Sequence, residues 1–568
     1  MGRGHRRRRA AEYGAICLVV VAAALVLQPS GCNQTAHFAL VKALHDGTPT
    51  IDRYAGETCD TAYIDGHYYA AKAPGLALLT EPWYTALRVV GLDAEPHASG
   101  LAYPEGMLAL PRVATWQVSL WGATLAALLL LLLVRWAAEL LVPGYGAAAA
   151  VLLGLGTLVL PFSTLFFAHV LSATLGMASF CLLLRHRRRG GRVAVPFAAG
   201  ALVGVAVVVE FPLAILAVAL AVYLGLGRGR LVPYAIGLAA GIVPLVAFDT
   251  WAFGSPFDLS YEHAVIQPGG SGHDVIGAND EGLFGLTVPS LRAAADLLAS
   301  DKGLLVLTPL ALAGVGGLLA LRRGAARREA NLALAVCGAF LLYNSAYFLP
   351  FGGWVPGPRF LIPALPFVAL GIAAALRAMP LTTVALAAPS VVAMVGATLA
   401  EPLAEPGRGA GLWLERWRES DFTETVVTRA GGGNGWAAVV PVLLAIAVAV
   451  VLAASTLPRI GFQERDAVLA LVAVFLWIAL AASGPKLLEL DRAVGQSTGL
   501  AAVVGLLLAA VASWLALRRY GIRAAAGAAV LGVLAVPGVA SHSKWALLVV
   551  VGSAVIVAVT FIRLEPRT

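Results

Sequence analysis

Between residues 33 and 75 the chain gathers side chains that can move protons or hold phosphate. They are His37, His45, Asp52, Asp60, Asp65, His67, Tyr68, Tyr69 and Lys72, followed at once by Pro74 and Gly75. A carboxylate at a membrane surface can serve as general base towards a hydroxyl, worth about 10²–10⁴ in rate. A lysine entering the headgroup layer can hold a phosphate as a point charge. Together these suit attack by a sugar or lipid hydroxyl on a phosphate-activated sugar. Farther along, Arg359 follows Gly352, Gly353 and Gly357, which allow close backbone approach. A guanidinium there could grip phosphate in bidentate fashion. His169 is expected where one apolar run gives way to the next, and Glu210 interrupts the apolar sequence around VVVEFP. An ionisable residue in such a setting is a site candidate.

The elements that must position these groups are membrane helices. Of the 568 residues 59% are apolar and 13% charged, about half the ~25% charge of soluble domains. The composition excludes a soluble globule of this length and a disordered chain. Runs of the roughly 20 apolar residues needed to cross a bilayer begin at residues 14–27, behind Arg6-Arg7-Arg8-Arg9. No small-residue cleavage site follows, so this run reads as an uncleaved first span with a cytosolic N-terminus. About sixteen spans are expected in all, two or three of which could merge or be re-entrant, the last two at residues 524–540 and 545–562. No C-x-x-C pair, Walker loop, H-E-x-x-H or dinucleotide fingerprint is present, and the net charge of +8 reflects membrane orientation rather than nucleic-acid binding.

Alternate threading from a cytosolic start puts 25 of the 40 Lys and Arg inside, and 26 of the 32 Asp and Glu outside. The short inner loops at 185–192, 322–328 and 518–523 are basic, as the positive-inside rule requires. All five lysines and the long polar segments 33–111, 249–302 and 401–435 fall outside, so chemistry is expected on the extracytoplasmic face. Residues 74–91 are apolar but carry Glu81, Pro82 and Arg88. They read as an interfacial amphipathic helix with Trp83 and Tyr84 at headgroup depth. Residues 436–568 read as an appended C-terminal membrane helix bundle.

The run Gly66-His67-Tyr68-Tyr69-Ala70-Ala71-Lys72-Ala73-Pro74-Gly75 resembles the G-x-Y-Y-x-x-K-x-P element of GT-C glycosyltransferases, the superfamily of protein O-mannosyltransferases and lipid A aminoarabinose transferases. Pro161-Phe162-Ser163-Thr164 through His169, Phe253-Gly254-Ser255-Pro256-Phe257, Lys302-Gly303-Leu304 and Gly352-Gly353-Trp354 through Arg359-Phe360 look like further elements of the bacterial branch. The resemblance spans residues 14–400. It implies an all-α polytopic fold with a GT-C-like helical core, and transfer of a hexosyl or pentosyl group from a polyprenyl-phosphate donor, with inversion, to a glycan, lipid or protein acceptor. It assigns Lys72 to the donor phosphate, with Arg359 the other phosphate candidate; His67, Tyr68, Tyr69, His169 and Glu210 are the candidates for substrate binding. The chain departs from the family where many relatives carry an acidic pair after the first helix: Asn33-Gln34 stands there, and an amide cannot take a proton at neutral pH. The base must lie elsewhere, at Asp60, the preferred position, or Asp52.

Cys32 and Cys59 share the first outer segment, where oxidising conditions permit a disulfide. His37, His45 and His67 near the aspartates have no metal-specifying spacing and read as a surface cluster. A divalent cation stays open, as does oligomeric state. Asp249, Asp258, Tyr261, Glu262 and His263 fall in the second outer segment, which could cover an acceptor. The favoured reading is a plasma-membrane glycosyltransferase of bacterial type. A transporter or flippase for a lipid-linked glycan is the alternative, and a non-catalytic GT-C-like assembly protein a third. The near confinement of charge to helix ends favours the enzyme, because a transporter needs ionisable or broken elements near the midplane.

Overall fold

A computed structural model describes residues 3–92, 101–102, 107–108, 110–190, 192–225, 228–265, 285–404, 409–458, 463–494 and 498–520. It is built almost wholly of helices. Among the described residues seven are long and apolar enough to cross a membrane: Arg112–Leu141, Ala168–Arg189, Gly229–Phe253, Arg359–Ala378, Pro380–Leu399, Trp436–Thr456 and Glu464–Glu489. Leu291–Leu307 and Leu310–Leu321 form an eighth element broken by an 87° bend.

The expectation of sixteen full spans is corrected by helix length. Three apolar runs become the shorter helices Gly146–Leu155, Ala194–Val209 and Leu213–Leu224. At 1.5 Å per residue these are about 15–24 Å long, under the ~30 Å of hydrocarbon. Apolar residues therefore also line the interior of the bundle. The runs at 524–540 and 545–562 lie outside the described residues.

In lipid, helices gain little from hiding apolar surface, and close backbone approach through small residues takes over. Leu310–Leu321 meets Leu365–Ala378 at Gly317 and Gly371, where a β-carbon on Gly317 would collide with the Gly371 carbonyl oxygen. Ala194–Val209 meets Arg228–Phe253 in the same way, through Gly200 and Gly204 against Gly237 and Gly241. Helix Trp436–Thr456 joins the main apolar core and packs on the first helix, Arg3–Ala24. The strand pair Val26–Leu27 with Glu424–Thr425 ties the same two regions together.

The bundle has two chemically different ends. Helix Arg112–Leu141 presents Arg112 to a large cavity. Twenty-three residues later, roughly 35 Å along a helix, Arg135 pairs with Glu12, which also pairs with Arg8. At this second end Arg188 donates to the Leu140 carbonyl and Tyr223 to Glu329. Arg8 and Arg188 belong to the basic segments expected on the inside.

Helix Gly75–Val89 forms where an interfacial helix was expected. Its Tyr84 is packed within the protein, 3% exposed and edge-on to Phe38 and His45. Trp83 stacks on Trp121 instead, with its indole donating to the Gln117 carbonyl.

Candidate active site

A β-hairpin places the first two groups. Strands Thr61–Ile64 and His67–Ala70 pair antiparallel, joined by Asp65-Gly66. Both turn residues have positive φ, 50° and 90°, the geometry of a two-residue turn that an Asp-Gly sequence favours. The ladder runs one step past the strands, with Ala71 N–H donating to the Asp60 carbonyl at 3.1 Å. That step brings Lys72 beside Asp60, and the two form an ion pair with side chains 8% and 14% exposed. The register of the hairpin, set by its turn, thus creates the pair.

The glycine after Pro74 has a specific use. A β-carbon on Gly75 would meet the backbone of Val208 and Val209. Its absence lets the start of Gly75–Val89 press against the end of Ala194–Val209, which delivers Glu210 to the same cavity. Glu210 contacts His169 Nδ1 through Oε1 and accepts from Ser172 Oγ through Oε2 at 2.8 Å. His169 opens the helix Ala168–Arg189 and is caged by Phe162, Phe167 and Phe360. The preceding PFST turn is held by Thr124, whose hydroxyl donates to the Ser163 carbonyl, and by Gln34, whose side-chain oxygen accepts from Phe166 N–H.

The cavity occupies about 790 Å³. Asp60, Lys72, His169, Glu210 and Arg359 all line it, the first two from the one hairpin and the others from three further stretches of chain. The Arg359 guanidinium lies over the rings of Phe167 and Phe360, with Nε buried and unpartnered. Lys72 also lies 5.7 Å from the Tyr261 ring centre. Burial holds the Lys72 ammonium below its ordinary value, Asp60 opposes that shift, and Arg359 adds to it. Burial likewise raises the Tyr261 phenol, which stays protonated. Burying unlike charges without full compensation is costly, so a cavity holding them is a place for chemistry rather than for stability.

Several expected residues are not brought in. Asp52 lies outside the cavity on the hairpin's outer side, accepting from Tyr68 N–H at 2.6 Å and bonded to His67 Nδ1 at 2.7 Å. The backbone and His67 bonds hold its carboxyl below the usual range, against a desolvation that acts the other way. Tyr68 leans on Tyr63. Tyr69 packs edge-on to Phe253 and donates to the Ala252 carbonyl. These four shape the hairpin and do not line the cavity. The histidine cluster is also corrected: His37 is buried at 3% exposure and faces the cavity, whereas His45 bonds to Thr85. Among the described residues no three His, Cys, Asp or Glu side chains converge to hold a metal ion. Asp258 bonds to His263 and Asp249 is buried; neither lines the cavity.

The sequence did not single out Asn33, Arg112, Tyr343, Tyr347 and Glu401 as wall residues. Asn33 and His37 stand four apart in helix Cys32–His45, so they share a face; that spacing was the available signal. Cys32 and Cys59, both in the wall, are joined by a disulfide with Cα atoms 5.2 Å apart.

No family model matches the chain, and no curated protein does. Among solved structures it is similar to ArnT from Cupriavidus metallidurans bound to undecaprenyl phosphate, at 14% identity and a TM-score of 0.41, covering 92% of this chain and 74% of that one. The apo state of the same protein gives 16% identity and a TM-score of 0.40 with the same coverage. Archaeoglobus fulgidus oligosaccharyltransferase in the apo form gives 13% identity and a TM-score of 0.36, over 80% of this chain and 57% of that one.

Proposed function

We propose that the chain is a membrane glycosyltransferase that moves a sugar from a polyprenyl-phosphate donor to a hydroxyl acceptor on the extracytoplasmic face. The observation that carries this reading is one cavity uniting two cations, Lys72 and Arg359, with the carboxylate Asp60 inside aromatic and apolar walls. The cations suit a phosphate, the walls suit the first units of a lipid chain, and the carboxylate suits proton removal. The facing of the cavity away from the Arg8–Glu12–Arg135 end supports the outer placement.

In this reading the donor phosphate gives Lys72 a second anion and leaves Asp60 facing the acceptor hydroxyl. The acceptor oxygen attacks the anomeric carbon, and the carbon–oxygen bond to phosphate breaks. Asp60 takes the acceptor's proton, and polyprenyl phosphate leaves with the bonding electron pair, held by Lys72 and Arg359. A single displacement of this kind inverts the anomeric centre. Asp52, outside the cavity, has no part in it.

The test is binding and turnover by the purified protein in lipid nanodiscs. Lys72→Ala and Arg359→Ala should each weaken polyprenyl-phosphate binding by tenfold or more, while Asp60→Asn should retain binding and lose transfer. Wild-type turnover in all three variants would overturn the assignment. Orientation is checked by a membrane-impermeant thiol reagent, which should label a cysteine placed at Trp354 in intact cells.

A further inference from the structure

Resting on that reading, we infer that Asn33 and His37 form the sugar subsite of the cavity, and that this subsite takes an uncharged, hydroxyl-bearing sugar rather than an amino sugar or a uronic acid. Both residues belong to one face of helix Cys32–His45 and both line the cavity. Asn33 Oδ1 and His37 Nδ1 are buried without a hydrogen-bond partner. A buried polar atom left unpaired costs about 1–3 kcal/mol. Two such atoms one helical turn apart, on a cavity wall, call for a ligand with more than one hydroxyl.

Position ties them to the anomeric end of the donor. His37 feels the charges of Lys72, Asp60, His169 and Arg359, the groups around the proposed phosphate position. Its ring is fixed edge-on to Phe166, with centres 6.2 Å apart. A sugar joined to a phosphate on Lys72 and Arg359 would extend over this face of the helix.

Charge then selects among sugars. Neither Asn33 nor His37 carries charge at neutral pH: burial first, then Lys72, holds the imidazole at about 3. The three carboxylates of the wall are each paired before donor binds: Asp60 with Lys72, Glu210 with His169 and Ser172, and Glu401 with Arg416. A sugar ammonium would therefore enter beside two cations, and its pairing with Asp60, once the donor phosphate engages Lys72, would take that carboxylate away from the acceptor's proton. A uronate would compete with the donor's own phosphate for Lys72 and Arg359. Hydroxyls meet neither conflict, since each can donate to an amide oxygen or an imidazole nitrogen.

The experiment compares four ligands on the full-length protein in nanodiscs: polyprenyl phosphate alone, and polyprenyl phosphate carrying mannose, 4-amino-4-deoxyarabinose or glucuronate. The mannosyl donor should bind roughly tenfold tighter than bare polyprenyl phosphate, the gain of one or two net hydrogen bonds. The charged sugars should give no such gain. Asn33→Ala and His37→Ala should each remove most of the gain and leave bare polyprenyl-phosphate affinity unchanged. His37→Gln, which keeps an uncharged polar side chain, should restore part of it and controls for folding. Equal or tighter binding of either charged sugar, or loss of bare polyprenyl-phosphate affinity in the alanine variants, would overturn the subsite. Failure of bare polyprenyl phosphate to bind the wild type would overturn the donor reading itself, and with it the subsite; that outcome appears in a separate arm.

Discussion

Gly352 makes room for Arg359. A β-carbon on Gly352 would collide with the guanidinium's Nε, and its φ of 79° lies where side chains are strained. Gly352 thus admits the cation to the cavity rather than merely loosening the loop.

Gly352→Ala should therefore displace Arg359 and weaken polyprenyl-phosphate binding about tenfold or more, while leaving the protein inserted and folded. Isothermal titration in nanodiscs, with thermal melting as the folding control, measures both. Unchanged affinity would separate the glycine from the arginine's placement.

Lys72 supplies a pH test. Burial, with a smaller push from Arg359 and opposed by Asp60, holds its ammonium below the ordinary lysine value of 10.5. It loses charge earlier than an exposed lysine as pH rises, so donor-phosphate affinity should fall with increasing pH before the usual lysine range. Lys72→Arg should abolish that fall, because a guanidinium stays charged. A pH profile identical in the two proteins would remove Lys72 from the phosphate site.

The Cys32–Cys59 bridge fixes the segment ending at Asp60 to the start of the helix bearing Asn33 and His37. Closing a loop of that length contributes about 3–4 kcal/mol in the chain-entropy model. Cys59→Ser should lower the melting temperature and cut turnover more than donor binding, since the neighbouring Asp60 loses its fixed position. Non-reducing mass spectrometry finding both thiols free in the wild type would exclude the bridge.

Gly317→Val tests packing far from the chemistry. The added side chain meets the Gly371 backbone, and overpacking of this kind costs about 1–3 kcal/mol. Thermal stability should drop, while the remaining folded protein keeps wild-type donor affinity.

Much of the arrangement was legible in the sequence because lipid separates charges so strongly. Among the described residues, the basic segments around Arg8 and Arg188 mark one end of the bundle, and the polar segments with Lys72 and Lys302 mark the other. Lys72, Arg359, His169 and Glu210 stood out as charged or titratable groups at the edges of apolar runs. Which outer residues meet was not legible. Asp52 and Asp60 are alike in type and neighbourhood along the chain, and only the hairpin register puts Asp60 beside Lys72 and leaves Asp52 with His67. Nor were the neighbours of Tyr84 legible: Phe38 and His45, some forty residues earlier, enclose its ring. Helix length was not legible either, because an apolar run does not say where its helix stops, and three of the runs form helices of only 10–16 residues.

The wall of the cavity runs from Pro29 to Leu403, which bears on how the protein is made. Contacts so distant in sequence form late. A nascent chain emerging helix by helix has Asp60 and Lys72 within its first quarter but waits for Arg359 and Leu403 before the chamber can close. Ribosome-stalled intermediates should accordingly acquire affinity for lipid phosphate abruptly, near the four-hundredth residue, rather than by degrees.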